Sequence, residues 1–341
     1  MDLQTALRRV TDRQDLAGDE MTEVMRTIMT GGATPAQIGG FLVGLRMKGE
    51  TVDEIAAAAS VMRELADPVQ VDDLSGVVDT CGTGGDAHGT LNVSTAAAFV
   101  TAAGGAPVAK HGNRSVSGSS GSADLLEMAG ANLELSRDDV AECLRRTGVG
   151  FLFAPAHHGA MRHAVGPRRE VGVRSLFNLL GPLTNPAGAR RQLLGVFGAE
   201  WVRPVAEVLG ELGSEHVLVV HAEDGLDEIS IAAPTRIAEL RDGEVREYTV
   251  TPRGLGLREA PLHETTVAGA SDSLAMIRAA FAGERIAATE LIAANAGAAL
   301  YVAGRSSDLP AGIAQARELM ASGAAARVLE RFVAATQECG P

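Results

Sequence analysis

The first 66 residues carry apolar side chains at helical spacing. Leu3, Leu7 and Val10 fall on one face of a first helix, and Met21, Val24, Met25, Ile28 and Met29 on one face of a second that follows Asp19. Thr34-Pro35 predicts the start of a third, with a hydroxyl at the N-cap and proline at the first helical position. A fourth runs from Val52 to Leu65 and stops at Asp67-Pro68, because the residue before a proline disfavours the helical region. No polar groups converge here, so the stretch predicts a small helical domain or a dimerisation surface. Met21, Met25, Met29, Phe41 and Leu45 could form such a surface or equally an internal core.

At Val77 the pattern changes to short apolar runs alternating with glycine-rich turns and alanine-rich helices. Val77-Val78, Pro107 to Ala109, Gly150 to Phe153, Leu193 to Val196 and His216 to Val220 predict strands. Asn92 to Ala103, Ala123 to Met128, Arg137 to Thr147, Val202 to Leu212 and the tail from Ser271 to Gly304 predict helices. Arg236 to Tyr248, turning at Asp242-Gly243, reads as a hairpin appended to this unit. Strand alternating with helix argues for a parallel sheet that binds ligands at the carboxyl ends of its strands. The expected fold class is α/β: a small all-helical domain plus a larger domain with a mainly parallel central sheet flanked by helices.

Composition narrows the possibilities. The chain has 341 residues, enough for one large domain or two unequal ones, and a core large enough to need no staples. Apolar residues are 46% but aromatics only 3%, so Ala, Val, Leu and Ile must build that core. A net charge of −13 is poorly suited to holding a nucleic-acid backbone. Cys81, Cys143 and Cys339 are too few and too scattered for a disulfide framework or a thiolate metal cage. There is no membrane-length apolar run and no secretion-signal pattern at Met1, so a cytoplasmic protein is the expectation. Lys48 and Lys110 are the only two lysines among 30 basic residues.

Four stretches carry chemistry. Asp79-Thr80-Cys81-Gly82-Thr83-Gly84-Gly85-Asp86, then Asn92-Val93-Ser94-Thr95, joins a strand, a glycine-rich loop and a helix start bearing hydroxyls. Close backbone approach and free N–H groups make that a phosphate cradle, though it is neither a Walker loop nor a dinucleotide fingerprint. Lys110-His111-Gly112-Asn113-Arg114-Ser115-Val116-Ser117-Gly118-Ser119-Ser120-Gly121-Ser122 reads as a loop after the second strand and a second anion site. Glu223-Asp224-Gly225-Leu226-Asp227-Glu228 places carboxylates beyond a strand end, where they suit Mg2+ carried with a phosphorylated substrate. Alone, such a turn is more often merely solvated. In Phe153 to Glu170, His157, His158 and His163 lack thiolate or carboxylate partners for zinc, and an arginine there suits a carboxylate.

In this order the motifs resemble the anthranilate phosphoribosyltransferase family, within the nucleoside phosphorylase and phosphoribosyltransferase fold group. The matching residues are Gly82 to Asp86, Asn92 to Thr95, Lys110 to Ser115, Gly121-Ser122-Ala123-Asp124, Phe177 to Leu183 and Asp227-Glu228. The likeness runs from about residue 20 to 335. It implies transfer of the phosphoribosyl group of 5-phosphoribosyl 1-pyrophosphate (PRPP) to the amine of anthranilate, in tryptophan biosynthesis, with Mg2+ and as a homodimer.

By the same resemblance, Gly82, Gly85, Asp86, Thr90, Asn92, Val93, Ser94, Thr95, Lys110, Asn113, Arg114, Ser115, Ser117, Gly118 and Ser122 would hold PRPP. Gly82, Asn113, His158 and Arg168 would receive anthranilate, and Ser94, Asp227 and Glu228 would reach the metal. Gly118-Ser119 stands where many members carry Ser-Lys. No firm general base is implied. His111 is a candidate, with loop ordering or binding the favoured role. The expected domains are 1–70, completed by 167–190, and 71–166 with 191–341; Arg168 would then sit in the cleft between them. A pyrimidine nucleoside phosphorylase would carry Lys-His-Ser-Thr-Gly-Gly in place of Lys110 to Ser115, and a non-catalytic nucleic-acid-binding homologue would need a basic surface.

Overall fold

The computed structural model describes residues 1–73, 75–84, 88–115 and 120–339. Four helices open the chain: α1 (Leu3–Thr11), α2 (Gly18–Met29), α3 (Pro35–Lys48) and α4 (Val52–Glu64). Their ends follow local chemistry. The Thr34 hydroxyl accepts the Gln37 N–H while the Gln37 amide reaches back to the Thr34 N–H, and Thr51 with Glu54 repeats the device at α4. Met21, Met25, Met29, Phe41 and Leu45 are at most 1% exposed, so they are internal core and not an outer face.

The α/β part follows as β1 (Val78–Gly82), α5 (Val93–Ala103), β2 (Val108–Gly112), α6 (Ser122–Met128), α7 (Arg137–Thr147), β3 (Val149–Phe153), α8 (Ala154–His157), α9 (Arg162–Val171), α10 (Phe177–Leu180), β4 (Arg191–Gly195), α11 (Val202–Glu211), β5 (His216–Ala222), β6 (Thr235–Arg241) and β7 (Glu244–Val250). It closes with α12 (Ala270–Phe281), α13 (Ala287–Val302), α14 (Leu309–Ala321) and α15 (Ala324–Cys339). Among the described residues, no helix is long and apolar enough to cross a membrane.

The seven strands form one sheet in the order β3-β2-β1-β4-β5-β6-β7. The first five are parallel and the last two antiparallel. The 236–248 hairpin is therefore an edge of the main sheet rather than an attachment. Its turn residues Asp242 and Gly243 both take positive φ, 54° and 80°.

Alternation along the strands separates two cores. Leu193, Leu218 and Val220 face α5 and the C-terminal helices, whereas Leu194, Val217 and Val219 face α11 and the helical domain. The chain returns to the helical domain through α9, which packs on α3 and α2, and α10, which packs on α4.

β1 has β2 on one side and β4 on the other, so the strand order reverses there. Such a switch point opens a crevice beyond the carboxyl ends of β1 and β4. The glycine-rich loop, the 113–122 loop and the acidic turn all leave strands at that end.

Candidate active site

Glycines at the ends of β1 and β4 make the crevice. A Cβ on Gly195 would lie 1.5 Å from the Asp227 carbonyl oxygen, and one on Gly82 would lie 2.8 Å from Asp227 Oδ2. No side chain fits at Gly195, and one at Gly82 would push on the Asp227 carboxylate, so the acidic turn seats closely on the sheet. The Gly84 N–H donates to Asp227 Oδ2 at 2.9 Å. Asp227 and Glu228 are each 8% exposed.

Lys110 differs from its sequence reading. It and His111 are strand residues of β2, whose register with β3 continues through Gly112↔Phe153. Lys110 lies 3% exposed beneath α5, where its ammonium donates to the Thr80 carbonyl and to Ser94 Oγ at 3.2 Å. Among the described residues no carboxylate pairs with it. Burial pulls its pKa below the ordinary lysine value, offset in part by the charges of Asp79 and Glu228. Thr95 Oγ1, one residue beyond Ser94, is buried without a hydrogen-bond partner among the described residues.

The other loop residues are held by neighbours. Asn92 precedes α5; its Oδ1 accepts from Ser120 Oγ at 3.1 Å and Ser273 Oγ at 2.8 Å. Val93 turns into the core, with its N–H taken by the Leu91 carbonyl. Thr90 bridges to Thr266. Ser122 Oγ donates to the Asn113 carbonyl at 3.2 Å, and the Ser115 N–H to Asp124. Arg114 is exposed and forked onto Glu127. Gly85, Asp86, Ser117 and Gly118 lie outside the described residues.

Of the residues expected near anthranilate, His158 meets His111, the candidate base, and no described contact joins Arg168 to that pair. His111 Nδ1 lies 3.1 Å from the Gly181 carbonyl, and the Nε2 atoms of His111 and His158 lie 3.2 Å apart. Nδ1–H of His111 must donate to Gly181, so His158 donates to His111 through Nε2–H. His158 Nδ1 is buried, with the Thr184 backbone beside the ring. Burial is the main cause of both low pKa values, about 3 for His111 and about 4 for His158, so the pair is neutral at pH 7. His157 turns away to the Asp67 carbonyl at 3.0 Å. Arg168 sits half-buried on α9, its guanidinium 5.1 Å from the Phe177 ring centre. No described hydrogen bond joins it to Asn113.

A cavity of about 480 Å3 lined by Arg191, His216, Arg241 and Tyr301 lies at the amino ends of β4 and β5, away from this chemistry.

Comparison with known proteins decides the family. Residues 4–66 match the helical bundle domain of the glycosyl transferase family, and residues 74–326 match its a/b domain. The anthranilate phosphoribosyltransferase of Halorhodospira halophila is 78% identical over 339 residues, 99% of each chain. The chain belongs to the anthranilate phosphoribosyltransferase family. Among solved members, the Thermus thermophilus enzyme superposes with a TM-score of 0.92 at 45% identity, covering 97% of this chain and 99% of that one. The Saccharomyces cerevisiae enzyme in complex with PRPP and Mg has a TM-score of 0.88 at 25% identity, covering 98% of both chains.

Within the family frame, sequence reading missed the groups that support the site. Asp79, fully buried, accepts the His111 N–H at 3.1 Å and the Asn185 amide at 2.8 Å. Ser273 clamps Asn92, and Asn295 clamps Ile229 beside the acidic pair. Asn295 alone interrupts an apolar run, the one local signal available.

Proposed function

We propose that the chain transfers the phosphoribosyl group of PRPP to the amino nitrogen of anthranilate, releasing pyrophosphate and forming N-(5-phosphoribosyl)anthranilate in tryptophan biosynthesis. The observation that carries this reading is the crevice at β1 and β4. There a buried lysine with no ion pair among the described residues and two buried carboxylates stand at loops made for close approach.

The phosphate end is held by Gly82, Thr90, the start of α5 and Lys110, with Asn113, Arg114, Ser115 and Ser122 beside it; the remaining candidates, Gly85, Asp86, Ser117 and Gly118, lie outside the described residues. Asp227, Glu228 and Ser94 fit Mg2+: they are hard oxygen donors, and two carboxylates with phosphate oxygens and water complete its usual shell. Bound there, the ion supplies positive charge to the departing pyrophosphate. Lys110 and the loop N–H groups add donors fixed in advance where that negative charge grows.

At the other end the planar Arg168 guanidinium takes the anthranilate carboxylate, with Asn113 and Gly82 beside the ring. His158 stands beside the aromatic substrate and helps to orient its amine. His111 orients His158 and does not itself take the proton, because both its ring nitrogens are engaged. Orientation, more than base strength, then carries the rate.

The domain division that goes with this is 1–70 with 167–190, against 71–166 with 191–341, so that Arg168 faces the cleft between them. The chain would work in the cytoplasm as a homodimer, and the α2 methionines, being interior, would not form its contact surface.

Anthranilate fluorescence tests the reaction directly. With protein, PRPP and Mg2+, the signal should fall while pyrophosphate appears in equal amount, and EDTA should stop both. A folded protein that consumes no anthranilate under these conditions would refute the assignment.

A further inference from the structure

Every residue of α13 from Leu291 to Leu300 is buried, and Asn295 lies among them at 0% exposure. A carboxamide in such surroundings needs its hydrogen bonds made. Asn295 makes three. Its Oδ1 accepts the Ile229 N–H at 2.9 Å, and its Nδ2 donates to the Ile229 carbonyl at 3.1 Å and to the Leu291 carbonyl at 2.9 Å. Two of the three thus go to both backbone groups of one residue, 66 positions earlier.

Ile229 follows Glu228 directly and stands two residues beyond Asp227. The stretch between β5 and β6 has no ladder to hold it. Asn295 supplies the pair of bonds that a neighbouring strand would give. On the opposite side the Asp227 backbone rests on Gly195, where no side chain fits. The Ile229 side chain is itself sunk into the core at 1% exposure. The acidic turn is therefore gripped from behind by α13 and stopped in front by β4.

We propose that Asn295 is a positioning residue: by holding both backbone groups of Ile229 it sets the Asp227 and Glu228 carboxylates at the crevice for the divalent cation that accompanies PRPP. This rests on the metal reading given under the proposed function.

The test uses the full chain, Mn2+ as the probe ion, and the variants Asn295→Ala and Asn295→Ser. Ala leaves room for a water to bridge the freed groups, and Ser keeps one hydroxyl. Three quantities are measured: Mn2+ affinity by electron paramagnetic resonance with PRPP present, hydrogen exchange of the segment 224–231, and KM for anthranilate. In Asn295→Ala, exchange of that segment should quicken and Mn2+ affinity fall about 10- to 100-fold, the usual cost of losing an outer partner of a metal site, while anthranilate KM moves less than about twofold. Asn295→Ser should fall between the wild type and Ala.

Faster exchange with unchanged Mn2+ affinity would overturn the proposal. So would equal losses for metal and anthranilate, or failure of both variants to fold, since either assigns the amide to general stability. A wild type that binds PRPP but no Mn2+ would overturn the metal reading itself, an outcome visible before any variant is made.

Discussion

Lys48 and Lys110 are the chain's two lysines, and both ammonium groups are shut away from water. Lys48 closes the helical domain. It meets Asp15 at 2.6 Å and Glu54 at 2.9 Å, with the Glu54 side chain itself fully buried. Burial opposes its charge most strongly, yet the two acids together hold its pKa above the ordinary value. Lys110 closes the crevice of the larger domain with a carbonyl and a hydroxyl for partners, and burial leaves its pKa below the ordinary value. One lysine has its charge answered inside the fold. The other has no ion pair among the described residues, and the charges of Asp79 and Glu228 answer it only in part. Buried cations of the first kind hold a structure together; those of the second kind mark where a ligand belongs.

The sharpest way to break this contrast is to remove each charge in turn. Lys110→Met should cut kcat/KM for PRPP about a thousandfold, the scale expected for losing one fixed donor at a charged transition state, with no loss of melting temperature. Lys48→Met leaves the Glu54 carboxylate buried without its cation, though still accepting the Leu16 and Thr51 N–H groups, which should cost about 3 kcal/mol of stability by denaturant unfolding with turnover per folded molecule unchanged. Exchanged phenotypes would dissolve the distinction.

Acid sharpens it next. His111 and His158 titrate near 3 and 4 when folded, against about 6.5 when unfolded. A histidine with a depressed folded value contributes stability above the unfolded value that is lost as the pH falls toward the folded one. Lowering the pH from 7 to 5 should therefore cost about 2 kcal/mol for each ring, and His158→Gln should flatten that slope in thermal melts.

The smallest effect concerns Arg168, a half-buried cation with no ion pair among the described residues. Arg168→Ala should raise KM for anthranilate about tenfold, near 1.4 kcal/mol, and leave KM for PRPP unmoved. Equal rises in both would remove it from the aromatic end.

Much of this was legible in the sequence wherever its cause is local. Thr34-Pro35 and Thr51 mark helix starts because a cap needs only the next three residues. Asp242-Gly243 marks the hairpin because the turn itself demands positive φ. What stayed hidden depends on distant partners. Pro107 to Ala109 reads as the whole of the second strand because a lysine looks like the start of a loop. It continues as strand because Thr80 and Ser94, on other elements, take the ammonium's protons. Arg114 reads as an anion ligand, and its pairing with Glu127, more than a helical turn into α6, could not be read from the sequence. The helices after Gly304 went unread, and Asn295 has its main partner 66 residues away.

The two hidden lysines leave arginine as the only basic side chain that meets solvent, apart from histidine. Reagents that acylate or cross-link amines would find both lysine side chains closed to them until the fold opens or the crevice admits them. Amine labelling of this molecule is accordingly a reporter of unfolding and of site occupancy, and a poor way of tethering it to a surface at random.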